Sequence, residues 1–245
     1  MKNFKLTIQY DGSRYKGWQK LGDTDNTIQS RIEKVLSRMT GEETELIGSG
    51  RTDAGVHAFK QVANFHTSAG VNCSDILSYC YEYLPEDIVI TEAEEVDKLF
   101  HSRYNAKRKK YMYRIWNGKF HNPFMRKYTY HIAKKLDINL MNKASAHLIG
   151  EKDFSSFTSL KAKKKSMVRE IYSIDISCDN RFVDIIYYGN GFLYNMARII
   201  TGTLIETGLG RMEPDYVKKV LEKRDRTLAG PKVPSHGLVL LDVEY

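Results

Sequence analysis

Cysteine is scarce in this chain: Cys73, Cys80 and Cys178 are the three in 245 residues. An odd, scattered set argues against a disulfide scaffold and fits a reducing compartment. There is no C-x-x-C and no H-E-x-x-H, and the seven histidines are dispersed, so no metal site is read. No apolar run approaches the ~18 residues that cross a bilayer. Met1 to Lys5 enters a strand pattern without the apolar core of a signal peptide. These absences set the expectation of a soluble cytoplasmic protein with no membrane partner. A phosphate cradle is missing too. No G-x-x-x-x-G-K-[ST] occurs, and Gly48-x-Gly50 fails as a dinucleotide fingerprint because Asp53 stands where the third glycine belongs.

What is present is a well-mixed chain with 42% hydrophobic residues, long enough for one large domain or two modest ones. Lys plus Arg exceed Asp plus Glu by 38 to 30, a net charge of +8 that favours a polyanionic partner. Sixteen tyrosines sharpen this reading, because aromatic faces between cations suit RNA bases.

Phe4, Leu6, Ile8 and Tyr10 alternate as in a strand. Thr27 is placed to cap a helix whose face is Ile28, Ile32, Val35, Leu36 and Met39, with Gly41 as its stop. Short strands are expected at Glu45 to Ile47, Val56 to His66 and Ile88 to Ile90, with a helix over Ser74 to Tyr83. In the second half, strands are expected at Lys110 to Trp116, Val168 to Ser177, Phe182 to Tyr188 and Leu238 to Val243. Helices are expected over Ile138 to Leu148, Phe192 to Thr207 and Pro214 to Leu221. The pattern gives two α+β lobes, 1–105 and 106–245, whose sheets can join. Lys161 to Lys165 reads as an exposed basic loop.

Three residues invite chemistry, each with a plainer reading beside it. Asp53 stands in Gly48-Ser49-Gly50-Arg51-Thr52-Asp53-Ala54-Gly55, where glycines let a ligand approach the main chain. The loop either presents this carboxylate or simply turns on it. Tyr111 follows the basic run Arg103 to Lys110 and is either a stacking face or a core residue. Arg198 lies in an apolar helix with no carboxylate at i±3 or i±4, so it pairs with a distant group such as Asp53 or snorkels to solvent. His57 reads as structural.

Taken together, these segments resemble the TruA family of tRNA pseudouridine synthases over nearly the whole chain. The resemblance is carried by Tyr10-Asp11-Gly12-Ser13, Gly17-Trp18-Gln19, Gly50 to His57, Lys109 to Tyr113, Asp153 to Phe157, Gly191 to Arg198 and Gly237-Leu238. It implies a homodimer that needs no metal or organic cofactor and converts uridine to pseudouridine in the anticodon stem-loop of tRNA, at tRNA positions 38 to 40. It implies mostly antiparallel mixed sheets joined into one continuous sheet, helices packed on one side, and an active-site cleft between the lobes. By the same resemblance Asp53 is the nucleophile, Arg198 its counter-charge, and Tyr111 the ring that stacks on the target base. Leu238 closes the apolar side of the pocket, and Arg51 fills the gap left by a flipped uridine. Asp11, Arg14, Arg108, Lys109 and Lys110 are expected to hold the tRNA, and Lys161 to Lys165 is a weaker candidate. The chain departs from the family's pattern at Tyr83, at Ala197 and at the Lys109-Lys110 pair, leaving room for another RNA target such as ribosomal RNA. A non-catalytic tRNA-binding or folding protein would use the same surface.

Overall fold

The computed structural model describes residues 1–160 and 166–245; the expected basic loop at Lys161 to Lys165 lies outside them. The chain forms two compact units, Met1–Lys107 with Val239–Tyr245, and Arg108–Leu238. Both are α+β with mostly antiparallel strands.

In the first unit, β1 (Lys2–Tyr10) is followed by α1 (Ile28–Thr40), which begins and ends on the residues that the sequence marks. Thr27 accepts the Ser30 N–H, and Gly41 closes the helix in the left-handed region at φ 71°. Next come β2 (Ile47–Gly48), β3 (His57–Thr67), α2 (Cys73–Tyr83) and β4 (Ile88–Val96). Asn72 and Asp75 form a reciprocal cap at the start of α2. Strand β1 lies antiparallel between β3 and β4, and β2 adds to β3. Phe4, Leu6, Ile8 and Phe65 are fully buried, as are Ile28, Ile32 and Leu36 of α1. The acidic residues after Ile90 continue β4, where Glu94 and Glu95 pair with Lys5 and Lys2 across the ladder.

The second unit contains β5 (Arg108–Trp116), β6 (Tyr130–His131), α3 (Ile138–Ala146) and β7 (Gly150–Asp153). These are followed by β8 (Val168–Asp179), β9 (Phe182–Gly189), α4 (Met196–Gly208) and α5 (Tyr216–Lys223). The order β5-β9-β8-β7 is antiparallel throughout, and β6 runs parallel to β5. The turn joining β8 to β9 is Asn180-Arg181, both at positive φ, which matches the twist of a tight hairpin. Strand β8 therefore runs two residues past the Ser177 end expected from sequence, and β9 begins at Phe182 as expected.

Helix α4 starts four residues later than its apolar pattern predicts. Asn195 takes the left-handed region at φ 62°, and the Met196 N–H closes a turn on the Leu193 carbonyl. The helix ends at Gly208, one residue past the expected Thr207. Only Arg198 and Glu206 of its thirteen residues escape burial. A side chain at Gly202 would meet the Pro231 carbonyl at 1.8 Å, so glycine permits the segment 229–234 to lie on the helix backbone. The final strand, β10 (Leu238–Glu244), pairs in parallel with β3 through Val239 and Leu240.

Candidate functional site

Asp53 lies in the loop between β2 and β3, and the residue before it is held from two directions. The Thr52 hydroxyl is 2.7 Å from the Tyr10 hydroxyl, and the Thr52 carbonyl accepts the Trp18 N–H at 3.0 Å. Gly17, at φ 100°, lets the chain pass so close that a Cβ there would sit 2.8 Å from the same carbonyl. The Asp53 carbonyl then accepts the Val56 N–H at 3.1 Å, closing the turn that leads into β3. Asp53 is half-buried while Arg51 and Ala54 beside it are exposed. The main chain makes the turn, and its neighbours fix where the half-buried Asp53 side chain starts.

His57, the first residue of β3, anchors the neighbouring loop. Its Nδ1 lies 3.1 Å from the Gly12 N–H and 3.1 Å from the Asp11 carboxylate. Asp11 accepts from the Ser13 N–H and hydroxyl, at 2.9 and 2.6 Å. Arg14, expected at the RNA, has its guanidinium on Asp87 at 2.5 and 2.8 Å. Burial, followed by the hydrogen bond to Asp87, pushes the Tyr15 hydroxyl pKa up. The Arg14 side chain itself is largely exposed.

In the second unit, Tyr111 and Tyr113 share one face of β5 as the alternation predicts. Tyr113 is the core residue: it is fully buried and its hydroxyl donates to the Pro234 carbonyl at 2.8 Å. Burial drives its pKa well up, opposed by the nearby charge of Arg198. Tyr111 remains half-buried, its ring edge-on to Phe192 at 5.2 Å and 81°. The basic run is divided between faces. Arg108 and Lys110 lie over the rings of Tyr172 and Tyr188 at 5.4 and 5.3 Å, while Lys109 shares the Tyr111 side.

Arg198 leaves α4 at its first turn and makes two hydrogen bonds to neighbouring oxygens. Its Nε donates to the Val233 carbonyl at 2.9 Å and its Nη1 to the Asn195 carboxamide oxygen at 3.0 Å. Asn195 in turn donates to Ser159. The stretch carrying Val233 is fixed at both ends, by Gly230 N–H on the Thr203 hydroxyl and by Pro234 on Tyr113. The buried Leu238 follows directly after the Ser235–Gly237 turn. Thr52, Phe192, Asn195 and Val233 had no chemical signature of their own in the sequence. Thr52, Phe192 and Asn195 stand inside the motif strings, whereas Val233 is found only through the fold.

Among the described residues no group of three or more His, Cys, Asp or Glu is arranged to hold a metal ion. No helix among them is long and apolar enough to cross a membrane.

Residues 6–105 and 144–245 match the family model described as tRNA pseudouridine synthase. The chain is 51% identical over 245 residues to the tRNA pseudouridine synthase A 2 of Bacillus anthracis, covering 100% of both chains. It is 55% identical over 230 residues to the tRNA pseudouridine synthase A of Bacillus sp. (strain KSM-64), covering 94% of each. It is 45% identical over 246 residues to the tRNA pseudouridine synthase A of Acetivibrio thermocellus, covering 100% of each.

Proposed function

The chain belongs to the tRNA pseudouridine synthase family, a family of isomerases, and from that premise we propose how and where it acts on tRNA. Its target is a uridine of the anticodon stem-loop, and Asp53 is the nucleophile. The reaction breaks the bond from N1 to C1′, turns the uracil and joins C5 to C1′. The C5 proton is lost and N1 gains one, so the product is an isomer of the substrate. Asp53 attacks either C1′ of the sugar or C6 of the ring.

The observation that carries this reading is the fixation of Thr52. A nucleophile gains from being held in its reactive geometry before substrate arrives. Bonds from Tyr10 and Trp18 to the residue before Asp53 provide that support. Arg198 supplies the positive charge that favours the ionised carboxylate, and its contacts to Val233 and Asn195 keep its guanidinium aimed. Tyr111 stacks on the uracil and Leu238 gives the apolar wall. A uridine within a stem must leave the stack to react, so the base flips and exposed Arg51 takes its place.

Asp11, Arg14, Arg108, Lys109 and Lys110 contribute to holding the RNA, through phosphates for the cations. Arg14 does so with the outer edge of a guanidinium whose inner edge is on Asp87. The working form is a homodimer in the cytoplasm.

The test is to incubate the protein with tRNA and ribosomal RNA lacking pseudouridine and map the new sites. Modification confined to the anticodon stem-loop is expected. Modification elsewhere in tRNA, or in ribosomal RNA alone, would contradict the proposed target.

A further inference from the structure

The two most exposed phenylalanine rings among the described residues stand on the loop between β5 and β6. Phe120 is 73% exposed and Phe124 is 89% exposed. Isolated exposed hydrophobics are ordinary, but two phenylalanines four residues apart on a constrained loop are not. The constraint is visible bond by bond. The Trp116 indole donates to the Phe120 carbonyl at 2.7 Å, and His131 Nε2 lies 2.8 Å from the Gly118 carbonyl. The Asn122 side chain caps the N–H groups of Phe124 and Met125, and buried Thr129 returns to the Met125 carbonyl. The loop is therefore shaped in advance to hold two rings in water.

Its electrostatics say what covers those rings. From Lys98 to Leu136 there is no Asp or Glu, while twelve Lys and Arg occur. On the loop itself, Lys119 lies over the Phe120 ring at 5.3 Å, and exposed Arg126 folds back on the Pro123 carbonyl. A second copy of the chain meeting this loop about a two-fold axis would bring cation against cation. Exposed Lys is also depleted at protein interfaces. A polyanion with accessible base faces satisfies both features together. Duplex RNA hides its base faces, so the fitting partner is unpaired nucleotides.

We propose that the Lys119–Arg126 loop is a second RNA contact, in which Phe120 and Phe124 stack on unpaired bases of the bound tRNA. The proposal rests on the tRNA reading above and concerns a segment between the two stretches matched by the family. Lys119 and Arg126 meet the adjoining phosphates. The rings give affinity for a looped or terminal part of the molecule rather than for a stem.

Binding of the full-length protein to unmodified tRNA and to a blunt RNA duplex tests this, using F120A/F124A and F120W/F124W. The alanine pair should raise the tRNA Kd by about tenfold or more and leave the slope of log affinity against log salt unchanged. The tryptophan pair should bind like the original protein, and duplex affinity should be the same in all three. An unchanged tRNA Kd in the alanine pair overturns the proposal. So does an equal loss on duplex, or a change in oligomeric state without a change in tRNA affinity. Wild-type protein that forms no pseudouridine in tRNA would instead overturn the reading beneath it. Wild-type activity with unaffected binding by F120A/F124A removes the loop alone.

Discussion

The hydroxyls of Tyr10 and Thr52 lie 2.7 Å apart, joining the end of β1 to the residue that precedes Asp53. Thr52 and Tyr10 are both buried, so neither hydroxyl finds bulk water as a replacement partner. Replacing Tyr10 with Phe removes this bond while keeping the ring. The expected cost is about 1–2 kcal/mol of stability, with slower pseudouridine formation and an unchanged tRNA Kd. Thr52→Ser keeps the hydroxyl and should keep the rate. Denaturant melts and single-turnover assays check both, and a Y10F enzyme of full speed would remove the support role from Thr52.

Arg198 gives a contrasting expectation. Its Nε and Nη1 donate to the Val233 carbonyl and the Asn195 carboxamide oxygen, on a residue that is not buried. Arg198→Met removes both bonds and should cost about 1–2 kcal/mol of unfolding free energy. The single-turnover rate should fall about 100-fold or more, equivalent to about 2.7 kcal/mol of barrier. A melt that collapses in parallel with the rate would make the residue structural.

Legibility followed the range of the interactions. Helix α1 was readable to its ends because Thr27, the apolar stripe and Gly41 act within one element. The start of α4 was missed because the left-handed turn at Asn195 sits inside an apolar run with no glycine to announce it. For the proposed site, Asp53, Tyr111 and Arg198 stand out as residue types in unusual company. What holds them does not. Thr52 meets Tyr10 from 42 residues away, Arg198 meets Val233 from 35, and Arg14 meets Asp87 from 73. Such pairings are products of topology and leave no local signature.

The cysteines report on packing. All three are free; Cys80 is buried on α2, Cys73 is half-buried and Cys178 is exposed. Burial pushes the Cys80 thiol up to about 12, so at neutral pH it holds almost no thiolate. An alkylating reagent should label Cys178 in the native protein and reach Cys80 only on unfolding. Mass spectrometry of the labelled peptides reads this directly, and rapid native labelling of Cys80 would show that α2 opens readily.

The basic run should appear in the salt dependence of tRNA binding. Each phosphate neutralised contributes roughly 0.7–0.9 to the slope of log affinity against log salt. Lys109→Ala with Lys110→Ala should lower that slope by about 1–2 while leaving the position of modification unchanged. A slope equal to that of the original protein would take both lysines out of phosphate contact.

The most direct test of the proposed chemistry is Asp53→Asn, which keeps the size of the side chain and removes its charge. Pseudouridine in the anticodon stem-loop and the tRNA Kd are to be measured on the same preparation. The prediction is no detectable pseudouridine with tRNA binding within a few-fold of the original protein. Pseudouridine formed at an undiminished rate by D53N would contradict the assignment of Asp53 as nucleophile.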